Sequence, residues 1–204
     1  EAGHMPMVDP DTGNCIVHNG EVYNYLELKN NISLKGYRSN TDTEVILKYY
    51  AKYGIKCPNY FNGMFSFCIW DKKKRMLFIA RDRMGIKPLF YAVFNNTFYF
   101  ASEIKALLKA GVPAEPNMNT IYDYLGHGVY DHSEETFFKH IKQLPAGHHI
   151  VKTLDQFKIE KYWDLDPSME PEDYINYSDT ESYKKSGEKY LEILEDSIKL
   201  RLRS

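Results

Sequence analysis

Three consecutive residues, Asn19, Gly20 and Glu21, lie between the strand-like stretch 14–18 and a helix-like stretch that begins at Tyr23. An Asn side chain donates hydrogen bonds through its amide, and a Gly lets its own backbone N–H approach a ligand closely. Two donors that converge on one point form an oxyanion hole, which stabilises the charge on a carbonyl oxygen under nucleophilic attack. Because Asn-Gly is also a common tight-turn pair, the triplet alone predicts a turn at the strand end at least as strongly as a site.

A second acidic candidate is Asp42, at the start of the helix-like segment TDTEVILKYYAKYG. Its carboxylate could bind an amino group, but an acid in the first turn of a helix is favoured by the helix dipole even without a ligand. The segment 80–90, ARDRMGIKPLF, alternates charges around Gly85. This pattern favours a structural ion-pair network in a loop over a direct catalytic role.

A nucleophile and a metal site are both difficult to find. Cys68 lies in an aromatic strand, where burial makes a thiol inert, and Cys15 is about 13 Å from Asn19 by strand rise. The odd number of three cysteines, without a CxxC pair, indicates neither a disulfide framework nor a zinc site and favours a reducing, cytoplasmic setting. The adjacent His148 and His149 would point to opposite faces of a strand, so no metal is predicted.

The elements that must position these groups follow from hydrophobic periodicity and breaker residues. Thr41, with Glu44 three residues later, is a capping-box pattern that begins a helix ending at Gly54. Two aromatic-rich hairpins are expected to form the core of a sheet. The predicted strands cover 14–18, 64–71, 76–82, 89–94, 98–102, 147–154 and 156–165, and the predicted helices cover 23–34, 41–54, 103–111 and 119–128.

The last part of the chain has a different character. Residues 166–180 are acidic, contain prolines and lack Lys and Arg, which is typical of a solvated linker. Residues 181–204 predict an amphipathic helix whose apolar stripe must be buried against something else. That stripe contains Tyr190, Ile193, Leu194 and Ile198.

Composition limits the function classes. The chain has 204 residues, of which 43% are hydrophobic, and its net charge is -2 from 26 basic and 28 acidic residues. This balance offers no general attraction for nucleic acid or an anionic membrane, so a small molecule or a protein is the expected partner. The longest apolar run, Met64 to Trp70, is far shorter than the roughly 20 residues of a membrane span.

Taken together, a series of motifs resembles the glutaminase domain of glutamine-dependent asparagine synthetases, a branch of the class II glutamine amidotransferases. The resemblance implies an α+β fold of the N-terminal-nucleophile hydrolase type, a four-layer α/β/β/α sandwich of two antiparallel sheets. The motifs are IVHNGEVYNYLELK, TDTEVIL, NGMFSFCIWD, LFIARDRMGIKPLFY, FASEIKALL, LPAGHHI and KYWDL.

The resemblance also implies roles for individual residues. Asn19 and Gly20 resemble the oxyanion hole, and Glu21 and Asp42 resemble the carboxylates that hold the α-ammonium of glutamine. In the family, a cysteine at the first position of the mature chain attacks the glutamine amide, with its own α-amine as general base. The released ammonia passes to a synthetase domain that uses ATP and Mg²⁺ to activate aspartate. No cofactor is implied for the glutaminase domain itself.

Three family features are missing from the chain: the Met-Cys-Gly start, the Arg-Gly-Pro-Asp segment and an arginine-rich strand. We therefore expect that about 50 residues of the domain precede Glu1, that the first strands are lacking, and that this chain alone is inactive. The expected organisation is an amidotransferase domain over 1–165, a linker over 166–180 and a helix over 181–204 that leads into the synthetase domain.

The identity of the parent enzyme stays open at this stage. One alternative is an asparagine-synthetase-like amidotransferase acting on another acceptor, for example a sugar in surface-polysaccharide biosynthesis. The other is a non-catalytic domain without the nucleophile. The expected partners are glutamine and the enzyme's own synthetase domain, with no nucleic acid and no membrane, and homodimer formation is left open.

Overall fold

The computed structural model describes residues 3–31, 36–165 and 180–203, and it divides the chain into two compact units, Glu1–Trp163 and Asp164–Ser204. The first unit contains all the strands that the structure describes and four of its α-helices. Its elements are β1 (Met7–Val8), β2 (Cys15–Val22), α1 (Tyr25–Asn31), α2 (Asp42–Tyr53), a 3-10 helix (Gly54–Tyr60), β3 (Gly63–Asp71), β4 (Met76–Arg81), β5 (Phe90–Phe94), β6 (Thr97–Ala101), α3 (Ile104–Lys109), α4 (Met118–His127), β7 (Lys142–Gln143), β8 (His148–Lys152) and β9 (Phe157–Lys161).

The strands form two antiparallel sheets, one with six strands in the order β1-β2-β3-β4-β8-β9 and one with three strands in the order β6-β5-β7. Alternate residues of β3 serve two cores, because successive strand residues point to opposite faces. Phe67 belongs to the core beneath α1 and α2, whereas Cys68 belongs to the core between the sheets. A third core, around Leu107, joins α3 to the smaller sheet. The predicted α+β sandwich of two antiparallel sheets is confirmed.

Helix α2 begins as its sequence predicts. The Thr41 side chain accepts a hydrogen bond from the Glu44 backbone N–H at 3.3 Å, and Gly54 ends the helix with a φ of 58°. The Glu44 carboxylate does not reach back to Thr41. It accepts hydrogen bonds from the backbone N–H groups of Arg38 and Ser39 instead, so it fixes the chain that leads into the helix.

The prediction that Asn19 and Gly20 end the first strand is wrong. Strand β2 continues to Val22 and pairs with β3 along its whole length, with Asn19 opposite Ser66 and Gly20 opposite Phe65. Cross-strand pairing with a long, apolar neighbour outweighs the local turn preference of Asn-Gly. The candidate triplet therefore lies within a strand and not on a turn.

The two aromatic hairpins are observed, but the expectation that they form the core of one sheet is wrong. The β3–β4 hairpin belongs to the larger sheet, and the β5–β6 hairpin belongs to the smaller one. Both hairpins carry apolar residues on both faces, because each sheet is covered by helices on one side and by the other sheet on the opposite side. Such strands contain no local signal that tells the two sheets apart.

A glycine in β3 allows the close approach of β2. A Cβ added at Gly63 would lie 2.2 Å from the Glu21 carbonyl oxygen and 2.9 Å from Val22 Cα. We expect Gly63→Ala to lower the free energy of unfolding by about 1–3 kcal/mol, the usual cost of overpacking. The matched control is Gly126→Ala in α4, where a Cβ would meet nothing within 4 Å, so that we expect a stabilisation of about 0.4–1 kcal/mol. Urea denaturation of both variants measures this, and equal effects would contradict it.

The second unit contains α5 (Thr180–Arg201), at the position of the predicted C-terminal helix. None of its residues is buried, and Tyr190, Ile193, Leu194 and Ile198 of the predicted stripe are between 40% and 65% exposed. Nearly all of the predicted acidic linker, 166–179, lies outside the described residues. Among the helices that the structure describes, none is long and apolar enough to cross a membrane.

Candidate functional site

Asn19 faces a cavity between the two sheets. Its side chain points to the same face of β2 as that of Glu21, and its Nδ2 donates a hydrogen bond to the Ser102 hydroxyl at 3.1 Å. Ser102 follows directly after β6 in the smaller sheet. The cavity has a volume of about 190 Å³. It is lined by Val17, His18, Asn19, Ser66, Phe67, Cys68, Leu89, Phe100, Ala101 and Ser102.

The backbone N–H of Gly20 points away from β3 towards the open edge of β2. In an antiparallel pair, alternate residues exchange hydrogen bonds with the partner strand, and the others face outwards. The residues two positions before and after Gly20 point their N–H groups away from β3 as well. The His18 N–H donates to Met5 Sδ at 3.1 Å, and the Val22 N–H donates to Asp42 Oδ2 at 2.8 Å. The Gly20 N–H lies between them and has no acceptor among the described residues.

The packing of β2 against β3 requires a glycine at position 20, independently of any ligand. Its φ is +140°, and an added Cβ would lie 2.1 Å from the Met64 carbonyl oxygen. Opposite it, Phe65 is held by the Asp82 carboxylate, which accepts a hydrogen bond from the Phe65 N–H at 3.2 Å. The same carboxylate accepts from the N–H groups of residues 84, 86 and 87. Segment 80–90 is therefore structural, as expected, but the predicted ion-pair network is wrong: in the described chain, its Asp82, Arg81 and Arg83 side chains bond to backbone groups instead of to opposite charges.

Two carboxylates, those of Glu21 and Asp42, are placed at the same end of β2 as these donors. Asp42 is tied to β2 by the Val22 N–H, and its negative charge contributes to a raised pKa of Glu21, after the larger effect of burial. Among the described residues, neither carboxylate is paired with a Lys or Arg side chain. Two neighbouring negative charges attract a positive group, so an ammonium group can bind to both carboxylates at once.

His18 is a neighbour of the site that sequence reasoning did not select. Its Nδ1 lies 3.1 Å from the Thr43 hydroxyl and 3.9 Å from Asp42 Oδ2, and its Nε2 is buried without a hydrogen-bond partner in the described chain. Burial lowers the pKa of His18, so the neutral form is favoured beside Asp42. The available signal was its position next to Asn19. Adjacent strand residues point to opposite faces of the sheet, so His18 lies on the face of β2 opposite to Asn19.

We expect stability to fall as the pH decreases below about 6.5, the ordinary pKa of histidine. Burial lowers the pKa of both His18 and His149, so in this range the unfolded chain binds protons that the folded chain does not. Urea denaturation between about pH 7.5 and pH 6 measures the slope. We expect His149→Gln to reduce it and the exposed control His127→Gln to leave it unchanged. An unaltered slope in His149→Gln would contradict this assignment.

The cysteines of the chain offer no activated thiol beside the donors. Cys68 is 4% exposed, and burial raises its pKa to about 12, so it stays protonated at neutral pH. Cys57 is fully buried, and burial raises its pKa well above the ordinary value. Cys15 lies on the same face of β2 as Asn19 but opposite Trp70, at the other end of the strand. In the described part of the chain, no group of three or more His, Cys, Asp and Glu side chains is placed to hold a metal ion.

Comparison with protein families decides the relationship. A model described as glutamine amidotransferase domain matches residues 1–163. The chain belongs to this glutamine amidotransferase family. A Bacillus subtilis relative named asparagine synthetase [glutamine-hydrolyzing] 2 is 35% identical over 212 residues, which cover 96% of this chain and 27% of the relative. A Methanocaldococcus jannaschii relative with a name of the same kind is 38% identical over 225 residues, covering 100% of this chain and 41% of the relative. The resemblance read from the motifs is thus confirmed.

The fold of this amidotransferase domain is also found in solved structures. A glutamine phosphoribosylpyrophosphate amidotransferase from Bacillus subtilis matches with a TM-score of 0.53 and 17% identity, covering 78% of this chain and 32% of that structure. This likeness supports the fold alone, an α+β arrangement of two antiparallel sheets. The chain spans 27% to 41% of the length of the first curated relatives that it matches.

Proposed function

We propose that this domain is the glutamine-hydrolysing half of an asparagine synthetase. The observation that supports it most is the position of two carboxylates, Glu21 and Asp42, that no Lys or Arg side chain of the described residues pairs with. They lie at the end of β2 that carries two hydrogen-bond donors, Asn19 Nδ2 and the Gly20 N–H. Glutamine carries the complementary groups, an α-ammonium at one end and an amide carbonyl at the other. The ammonium binds between the carboxylates, and the carbonyl oxygen lies at the donors.

In this reaction a thiolate attacks the amide carbon, and the carbonyl oxygen becomes negative in the tetrahedral intermediate. Asn19 and Gly20 stabilise that charge because they are fixed before the reaction and need not reorganise. Ammonia leaves, and water hydrolyses the thioester that remains, which releases glutamate. We assign the thiolate to the N-terminal cysteine of the full-length protein. The open edge of β6, the outermost strand of the smaller sheet, is where a further strand can add.

We propose that aspartate accepts the ammonia, since the relatives are named asparagine synthetases. In this proposal a synthetase domain of the full-length protein binds ATP and Mg²⁺. The three free thiols fit a reducing compartment, and we propose the cytoplasm. Light scattering of the full-length protein would show whether it forms a dimer.

The full-length protein tests the proposal in two assays. We expect it to release glutamate from glutamine, and to form asparagine when aspartate and MgATP are added. Replacement of its N-terminal cysteine by alanine should abolish glutamate release while glutamine binding, measured by calorimetry, is retained. A protein that binds no glutamine and releases no glutamate would be a non-catalytic module. Glutamate release with sugar, and not aspartate, as the ammonia acceptor would support the other amidotransferase class.

A further inference from the structure

The hydrogen bond between Asn19 and Ser102 joins residues 83 positions apart in the chain. It connects the two sheets at the candidate site, since Asn19 lies on β2 of the larger sheet and Ser102 directly follows β6 of the smaller sheet. It is also the one hydrogen bond that the Asn19 side chain makes with the described residues. The bond to Ser102 therefore restrains the rotation of this amide.

An oxyanion hole requires a fixed amide. The terminal torsion of an Asn side chain is broad, so an untethered carboxamide can rotate and carry its nitrogen away from the substrate. A displaced nitrogen would no longer stabilise the developing negative charge. Because an Asn nitrogen carries two N–H groups, the bond to Ser102 occupies one and leaves the other for the substrate.

The nearby hydroxyl of Ser66 does not share this role. Ser66 lies opposite Asn19 on β3 and also lines the cavity, but its hydroxyl donates to the Pro88 carbonyl at 3.2 Å. Of the two serines that line the cavity, Ser102 is the one whose hydroxyl contacts the amide. The contact is half-buried, so water competes with it only in part.

We propose that Ser102 is a positioning residue for glutamine hydrolysis, which orients the carboxamide of Asn19 for the oxyanion. The inference rests on the proposed function. Ser102 acts through Asn19 and does not itself contact the reacting carbonyl. Its loss should therefore lower kcat and leave KM for glutamine unchanged, because the interaction that it supports is made in the transition state.

The test measures glutamine hydrolysis by the full-length protein with Ser102→Ala, alone and combined with Asn19→Ala. We expect Ser102→Ala to lower kcat about tenfold, the effect of one ordinary hydrogen bond, and to have no further effect when Asn19 is already alanine. Ser102→Thr keeps the hydroxyl and should retain most of the activity. Ser133→Ala removes an exposed hydroxyl outside the cavity and should leave kcat unchanged.

The outcomes separate the two proposals. If the wild-type protein does not hydrolyse glutamine, the proposed function fails. If it does, and Ser102→Ala keeps the wild-type kcat or slows the Asn19→Ala protein by the same factor, the positioning role is wrong. Thermal unfolding checks that the variant is folded at the assay temperature. If Ser102→Ala is not folded at that temperature, Ser102→Cys takes its place and should show the same loss of kcat. Cysteine is similar in size to serine but is a weaker hydrogen-bonding group.

Discussion

Replacement of Asn19 by alanine in the full-length protein is expected to lower kcat for glutamine hydrolysis by about 10² to 10³-fold, the effect of removing one side-chain donor from an oxyanion hole. KM for glutamine should change little, because the ground-state carbonyl needs the donor far less than the tetrahedral intermediate does. Steady-state kinetics of glutamate release measure both constants. Asn19 lies within β2, but among the described residues its side chain bonds to Ser102 alone, across the cavity, so the fold should persist.

The matched control is Asn119→Ala, which removes an exposed amide from the first turn of α4, away from the cavity. It should leave kcat within twofold of wild type. A wild-type kcat in Asn19→Ala would remove Asn19 from the oxyanion hole. An equal loss of kcat in both variants would show a general effect on folding, which thermal unfolding would detect independently.

The second large effect is expected at the carboxylates. Glu21→Gln and Asp42→Asn each replace a charge by a neutral group of the same shape, so each should raise KM for glutamine by about 10- to 100-fold, since hydrogen bonds to charged groups contribute about 1.5–3 kcal/mol. Effects on kcat should be smaller, because the ammonium is remote from the reacting carbonyl. The exposed Asp155→Asn is the control.

A substrate analogue makes this prediction more specific. A glutamine analogue that lacks the α-amino group has no cation to place between Glu21 and Asp42. Wild type and Glu21→Gln should therefore hydrolyse it with similar kcat/KM, although they differ strongly on glutamine. If Glu21→Gln loses the same factor on both substrates, Glu21 acts on the fold and not on the ammonium.

Local signals in the sequence predicted much of the fold. Helix α2 follows from Thr41 as the N-terminal cap and Gly54 as the C-terminal cap, which are contacts between neighbours in the chain. The hairpins follow from apolar strands around polar turns. The division of these hairpins between two sheets could not be derived locally, since both carry apolar residues on both faces. The family resemblance implied two sheets but did not say which hairpin belongs to which.

The candidate site shows the same limit. Asn19, Gly20 and Glu21 are adjacent in sequence, and the structure places Asp42 beside them through the Val22 N–H. The continuation of β2 through the triplet depends on pairing with β3, and the paired residues Asn19 and Ser66 are 47 positions apart in the chain. The contact with Ser102 depends on how the two sheets stack, and no spacing or periodicity within either strand encodes it.

The most direct measurement is a crystal structure of the full-length protein with glutamine, with the N-terminal cysteine replaced by alanine so that the substrate persists. We expect the glutamine amide oxygen at about 3 Å from both Asn19 Nδ2 and the Gly20 nitrogen, and the α-ammonium between Glu21 and Asp42. Glutamine bound elsewhere, or bound with its amide oxygen away from residues 19 and 20, would contradict it.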